Sequence, residues 1–353
     1  MPPSREADDP VRLLSLALAV PPFRLGQEEV ATRAASLFGA TGGTDAAVAR
    51  VHAHAGVRTR YSCVPLDWYL SEHDAAERAS LYRDAALRLL EEAAARALAK
   101  AGLAAADVDA IVSVSSTGIA TPSLDAHLAG RMGFRPDIVR LPIFGLGCAG
   151  GVLGLSRAAA LARAMPGRRV LLVVVETCGL TFRPADKSNA NRVATALFGD
   201  GAAACLVSTE GAGVELGPSG EHLWPDTLDV MGWDVVADGL KVVFSQDIPR
   251  LVRHRARSAA DAFLAARGLS VSDLSGLVCH PGGPKVMDAI AEAFALDPAA
   301  LGAARQVLSD HGNMSAPTVL FVLDEMVRAG ARGLHLMLAL GPGFSVGFQL
   351  VRL

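Results

Sequence analysis

The chain has 353 residues, a net charge of −3, a hydrophobic content of 51% and a charged content of 20%. That is a globular composition with room for about two units of ~100–200 residues each, and its weak net charge argues against a general nucleic-acid or membrane-surface partner. The N-terminus shows no basic and apolar leader pattern, and the apolar run over residues 11–20 falls short of the ~20 residues that span a bilayer, so a cytoplasmic chain without a transmembrane segment is expected.

In chain order, residues 11–20 read as a buried strand and the alanine-rich stretch 81–101 as a helix. Residues 108–114 form a β-branched run of the kind buried on both faces of a sheet. Glycines surround Cys148, residues 156–164 are helical in pattern, and 169–175 are again a continuous apolar strand. Helices alternating with such strands indicate α/β architecture. Part of this pattern then returns. Gly102-Leu103, Asp107-Val108 and Ile111-Val112 are echoed by Gly268-Leu269, Asp273-Leu274 and Leu277-Val278, 166 residues later. Gly147-Cys148 precedes a helix and a strand, and so does Gly312-Asn313, 165 residues later. A near-constant offset indicates duplication, with residues 1–215 as the half carrying Cys148 and 216–353 as the half carrying His280 and Asn313. Two similar halves packed about a pseudo-twofold axis would place Cys148 and Asn313 at the openings of equivalent helices, with His280 at a strand end nearby.

The five cysteines, Cys63, Cys148, Cys178, Cys205 and Cys279, stand singly with no C-x-x-C pair, so zinc-ribbon or thioredoxin chemistry is not expected and no metal site is read. Cys148 differs from the others in its setting, Gly147-Cys148-Ala149-Gly150-Gly151. A thiol at a helix N-terminus beside an imidazole is expected to favour the thiolate, the attacking species in forming an enzyme thioester. His280 precedes the loop Pro281-Gly282-Gly283-Pro284, where a functional and a purely structural histidine are both compatible with the sequence. Asn313 either caps the following helix or pairs with His280 as an oxyanion-binding donor.

At these residues the chain resembles the chalcone synthase-like, or type III, polyketide synthases. The resemblance runs from about residue 11 to 353. It rests on Gly147-Cys148-Ala149-Gly150, Ala196-Leu197-Phe198-Gly199-Asp200-Gly201-Ala202-Ala203, His280-Pro281-Gly282-Gly283-Pro284, Gly312-Asn313-Met314-Ser315 and Gly341-Pro342-Gly343, in that order. It implies an α/β, duplicated thiolase fold of two αβαβα halves in five layers. It also implies a homodimer acting on free coenzyme A esters, with no cofactor and no carrier protein.

Carried over by motif, the resemblance makes Cys148 the acyl-bearing nucleophile and His280 with Asn313 the decarboxylation pair. Phe198 becomes a gate between coenzyme A tunnel and chain-building cavity. Thr181, Cys178 and Ser315 fall at cavity positions, and Thr121 at one that reaches across the dimer into the partner's cavity. Arg50 corresponds to a basic residue at the coenzyme A phosphates, with His54 replacing another, Gly282 and Gly283 in the same loop region, and Lys285, Arg58 or Arg60 as candidate compensating cations. Val242 stands for a second gate phenylalanine and Trp233 for a cavity-floor glycine, and loss of the gate ring suggests a bulkier starter. The implied reaction loads an acyl-coenzyme A starter, read as fatty acyl because of the small Cys178, extends it with malonyl-coenzyme A by decarboxylative condensation, and closes an alkylresorcinol or alkylpyrone ring. The alternatives are a tetrahydroxynaphthalene synthase using malonyl units alone, disfavoured by Ser116 where that branch has a cysteine, a single-condensation ketoacyl synthase, and a non-catalytic acyl-binding scaffold.

Overall fold

A computed structural model describes residues 10–39 and 45–353. The strands are β1 (Val11–Ala19), β2 (Phe23–Gly26), β3 (Thr59–Ser62), β4 (Ala110–Val114), β5 (Val139–Ile143), β6 (Val170–Thr177), β7 (Asp200–Ser208), β8 (Val214–Leu223), β9 (Met231–Val236), β10 (Gly239–Phe244), β11 (Gly276–Cys279), β12 (Leu334–Gly341) and β13 (Ser345–Arg352). The helices are α1 (Gln27–Gly39), α2 (Asp45–Ala53), α3 (Ala75–Ala101), α4 (Leu124–Met132), α5 (Gly150–Ala164), α6 (Asn189–Leu197), α7 (Ile248–Ala265), α8 (Pro284–Phe294), α9 (Gly302–His311) and α10 (Thr318–Arg328).

The expected strands and helices form, with α3 starting earlier than the alanine-rich stretch suggested. Asp74 caps it by accepting a hydrogen bond from the Glu77 amide at 2.8 Å, and Gly102 ends it in the left-handed region at φ 67°, where glycine carries no Cβ penalty. The same ending recurs after α7, where Gly268 has φ 69°. A 3-10 turn follows each glycine. In one, Asp107 accepts from the Ala104 amide at 2.8 Å, and in the other, Asp273 accepts from the Ser270 amide at 2.7 Å. The repeated sequence is thus a repeated helix-stop, turn and strand-start.

Duplication is visible in the nine-stranded sheet, ordered β11-β12-β13-β8-β1-β7-β6-β4-β5. Reading outward from the antiparallel β1–β8 pair, β1-β7-β6-β4 mirrors β8-β13-β12-β11. β4 runs parallel to β6, and β11 parallel to β12; β7 and β13 are the matching antiparallel strands. Only the first half adds an outer strand, β5. The division drawn after residue 215 falls inside β8, the strand that hydrogen-bonds the halves together.

The layers follow from burial. β4, β6 and β7 are buried along their whole length, which fits their continuous apolar sequences. α3 and α4 cover one face of this half, with Leu87, Leu90, Ala93 and Ala97 on Leu171, Val173 and Leu206. On the other face, α5 and α10 touch each other and strands of both halves. These two inner helices, each opening at a motif loop, set the position of the site. Among the described residues, no helix is long and apolar enough to cross a membrane.

Candidate active site

The two inner helices approach one another through glycine. A Cβ on Gly151, in the first turn of α5, would lie 2.2 Å from the carbonyl oxygen of Ala316, just before α10. On Gly150 it would lie 2.8 Å from Val114. Without side chains there, the Cys148 loop sits directly against the Asn313–Ala316 segment. A third motif closes behind them: a Cβ on Gly341 would meet the Leu146 carbonyl at 2.6 Å, and one on Gly147, itself at φ 47°, would meet Pro342 at 2.6 Å. His280 arrives at the end of β11, its amide donating to the Leu338 carbonyl at 3.0 Å. Cys148, His280 and Asn313 consequently line one cavity, with Met231, Phe244, Gly282 and Val286 on its wall.

Asn313 is held by both ends of its amide. Its Oδ1 accepts from the Ser315 N–H at 2.8 Å, and its Nδ2 donates weakly to the Gly282 carbonyl at 3.4 Å. The helix-cap reading is incomplete, because α10 begins only at Thr318 and Nδ2 remains directed to the site. His280 is 5% exposed, and both of its ring nitrogens are buried without a hydrogen-bond partner.

The charge state differs from the thiolate–imidazole pair expected from sequence. Burial pushes the Cys148 thiol up to about 11, although the side chains of Ser315 and Asn313 lie against the sulfur and act in the opposite sense. Burial alone drops the His280 imidazole to about 3. Desolvation disfavours either charged form and so favours the neutral pair. Cys148 keeps some accessible surface because it faces the cavity, not the exterior. All five cysteines are free thiols.

Phe198 is positioned by a backbone crossing. The Asn313 amide donates to the Leu197 carbonyl at 2.7 Å, and the Gly199 amide to the Asn313 carbonyl at 3.0 Å. Gly199 is required, since a Cβ there would sit 2.4 Å from the His311 carbonyl. Phe198, Val242, Cys178 and Thr181 line a small side cavity of about 70 Å³. The absence of a gate ring at position 242 is offset by its neighbour: Val242 pairs across the β9–β10 ladder with Trp233, whose ring packs edge-on to Phe198 at 6.2 Å. Position 242 itself carries no ring, and Trp233 sets one beside Phe198 from the neighbouring strand.

A wide groove of about 840 Å³ opens beside the site, and Arg50, His54, Gly282, Gly283 and Lys285 all line it. Phe244, Gly282 and Val286 belong to groove and catalytic cavity alike. The candidate substitutes Arg58 and Arg60 do not reach it. Arg58 pairs with Asp310 at 2.5 Å on the surface. Arg60 is 4% exposed and donates to the carbonyls of Thr195, Ala196 and Phe198, so it ties down the end of α6 and with it the gate residue.

Residues 5–211 match the family described as chalcone and stilbene synthases, N-terminal domain, and residues 215–352 its C-terminal domain. The 1,3,6,8-tetrahydroxynaphthalene synthase of Streptomyces peucetius subsp. caesius is 41% identical over 95% of this chain and 91% of its own. The chain belongs to the chalcone and stilbene synthase family. A putative chalcone synthase of Bacillus subtilis is 36% identical over 94% of this chain and 96% of that protein. The crystal structure of 1,3,6,8-tetrahydroxynaphthalene synthase from Streptomyces coelicolor A3(2), a bacterial type III polyketide synthase, superposes with a TM-score of 0.92 at 30% identity, covering 97% and 99% of the two chains. This chain is accordingly a type III polyketide synthase, an acyltransferase with the thiolase-like fold.

Sequence reasoning missed one buried group of this synthase. Glu176, at the end of β6, is fully buried and accepts from the Ser116 amide at 2.9 Å and the Thr117 hydroxyl at 2.7 Å. Burial raises its carboxyl to about 8, against those bonds, and when ionised it raises the thiols of both Cys148 and Cys178. The available signal was an acid ending an otherwise apolar strand. Ser116 also accepts from the Gly145 and Gly147 amides at 3.2 and 3.1 Å, so its hydroxyl holds the nucleophile loop. Thr121 is exposed and outside the cavities of its own chain. His311 stacks on Tyr61 and meets Phe321 edge-on, and it is not among the residues lining the Cys148 cavity.

Proposed function

We propose that this synthase carries the growing acyl chain on Cys148 and extends it with malonyl-coenzyme A, using His280 and Asn313 to stabilise the enolate. The observation that carries this reading is the buried His280 ring, with both nitrogens unpartnered, in one cavity with Cys148 and the Asn313 amide. In loading, the Cys148 proton passes to His280 as sulfur attacks the starter thioester and coenzyme A leaves. In extension, the bond from the malonyl carboxylate to its α-carbon breaks and carbon dioxide departs. Its electron pair enters the thioester as an enolate, whose oxygen takes hydrogen bonds from His280 and Asn313. The enolate carbon then attacks the Cys148-bound carbonyl and releases the thiolate. Each oxyanion donor is typically worth about 3–4 kcal/mol of barrier. Coenzyme A thioesters enter as substrates through the groove, and the scheme uses no further cofactor, metal or carrier protein.

For the starter, the resemblance to two Streptomyces tetrahydroxynaphthalene synthases, at 41% and 34% identity, supports malonyl units alone over a fatty acyl group. The small side cavity and the Trp233 ring beside Phe198 support the same choice, since a long alkyl chain needs a tunnel beyond Cys178. The homodimer reading is supported by β5, an open sheet edge with exposed Val139 and Leu141 near exposed Ile119 and Phe144. An unpaired apolar edge calls for cover.

The test offers malonyl-coenzyme A alone, and separately with long-chain acyl-coenzyme A, and identifies products by mass spectrometry. A tetrahydroxynaphthalene from malonyl-coenzyme A alone is expected. Alkylpyrones or alkylresorcinols from the mixture, with nothing from malonyl-coenzyme A alone, would overturn the starter assignment. No carbon dioxide release in either case would overturn the chemistry.

A further inference from the structure

The groove is one-sided in charge. Its lining holds Arg50 from α2, His54 from the turn that follows it, Lys285 from α8 and, from α6, a fourth basic group, Arg192. Among the described residues, no aspartate or glutamate lines it. This contrasts with the rest of the surface, where arginines are commonly paired, as in Arg253 with Glu292, Arg305 with Asp288 and Arg328 with Asp324. Among the described residues, none of the four groove cations has a salt bridge.

Arg192 stands apart from the other three. Arg50, His54 and Lys285 are exposed, whereas Arg192 is half-buried. Its Nε is buried with no hydrogen-bond partner. Among the described residues its guanidinium lies over the face of Phe38, whose ring centroid is 5.6 Å from the guanidinium carbon. A ring face orients the cation while leaving its in-plane donors unspent. An oriented, partly desolvated guanidinium with free donors, in a groove without counter-charge, is the arrangement that binds phosphate in bidentate fashion.

We propose that Arg192 binds a phosphate of the substrate's nucleotide end. It would be the inner anchor of a groove whose exposed Arg50, His54 and Lys285 form the rim. The inference rests on reading the groove as the coenzyme A site, and it adds a recognition residue that neither the motifs nor their spacing single out. Because Arg192 is less solvated than the rim, its contribution should be larger and less sensitive to salt.

The experiment compares wild type with Arg192→Gln and Arg192→Lys. Binding of free coenzyme A and of pantetheine, which lacks the phosphates, is measured by calorimetry, and KM is measured with malonyl-coenzyme A and malonyl-pantetheine. For Arg192→Gln, a roughly 10- to 100-fold weaker binding of coenzyme A and a matching rise in KM are expected, with kcat unchanged. Pantetheine binding and the malonyl-pantetheine KM should be unaltered, and Arg192→Lys should recover part of the loss. Equal losses with both compounds would overturn the proposal by making Arg192 a structural residue, as would no loss with either. Calorimetry with coenzyme A needs no turnover. If wild type binds coenzyme A with this Arg192 dependence yet condenses nothing, the reaction scheme fails while the phosphate contact stands.

Discussion

The groove and the catalytic cavity adjoin one another, yet they treat charge in opposite ways. In the groove, the basic side chains of Arg50, His54, Arg192 and Lys285 surround about 840 Å³ of open space with no salt bridge among the described residues. Next to it, in a cavity of about 20 Å³, Cys148 and His280 both rest uncharged. The cost of desolvating an ion explains the contrast: at the wet mouth a cation keeps most of its hydration, whereas in the enclosed site neither the thiolate nor the imidazolium finds compensation. The lesson is a division of labour. Under the proposed scheme, long-range charge would serve recognition and short-range hydrogen bonds the chemistry, with a proton moving between two neutral groups once a thioester is in place.

The sharpest way to break this comparison is at the sulfur. Cys148→Ala should abolish covalent acyl loading, seen as loss of the acyl-enzyme mass shift, while coenzyme A still binds the groove with nearly unchanged affinity. Next comes the oxyanion pair. Asn313→Ala should slow release of carbon dioxide from malonyl-coenzyme A by about 10²–10³-fold, with a much smaller change in KM; a change confined to KM would move Asn313 from the chemistry to recognition.

A smaller effect is expected at the gate. Trp233→Gly combined with Val242→Phe moves the ring back across the ladder, and should restore much of the product profile that Trp233→Gly alone disturbs, as read by product mass distribution. At the rim, Arg50→Ala should raise the malonyl-coenzyme A KM only several-fold, and 0.5 M salt should erase most of the difference from wild type. A separate signal, confined to acid pH, concerns stability. His280 titrates near 3 in the fold and near 6.5 when unfolded, so the unfolded chain binds the extra proton between these values. Its contribution is complete above about pH 6.5 and fades as the pH falls toward 3, by up to ~1.4 kcal/mol per pH unit. Denaturant melts should show a shallower acid limb for His280→Gln than for wild type.

The elements and the duplication were legible in the chain because they rest on local rules. Apolar runs such as 170–175 are buried strands, Gly102 and Gly268 stop helices, and Asp107 and Asp273 cap identical turns. The identities of Cys148, His280 and Asn313 were equally readable, since each sits in a motif whose glycines or prolines mark a backbone built for close approach. The five groove residues named from sequence also share one groove.

What the chain alone did not reveal depends on what lies across a contact. Burial works against the thiolate expected at Cys148, because its pKa follows from how deeply the tertiary structure buries it, and no motif records depth. Arg60 looked like a free cation until packing placed it over the last carbonyls of α6. Trp233 and Val242, nine positions apart, became one compensated pair only through the β9–β10 register. Glu176 and Arg192 carry no motif, and acquire their meaning from the hydroxyls, rings and open space around them. Sequence determined the parts and their order through short-range sterics and periodicity; desolvation and the pairing of distant side chains, which decide charge and access, were settled only when the two halves folded together.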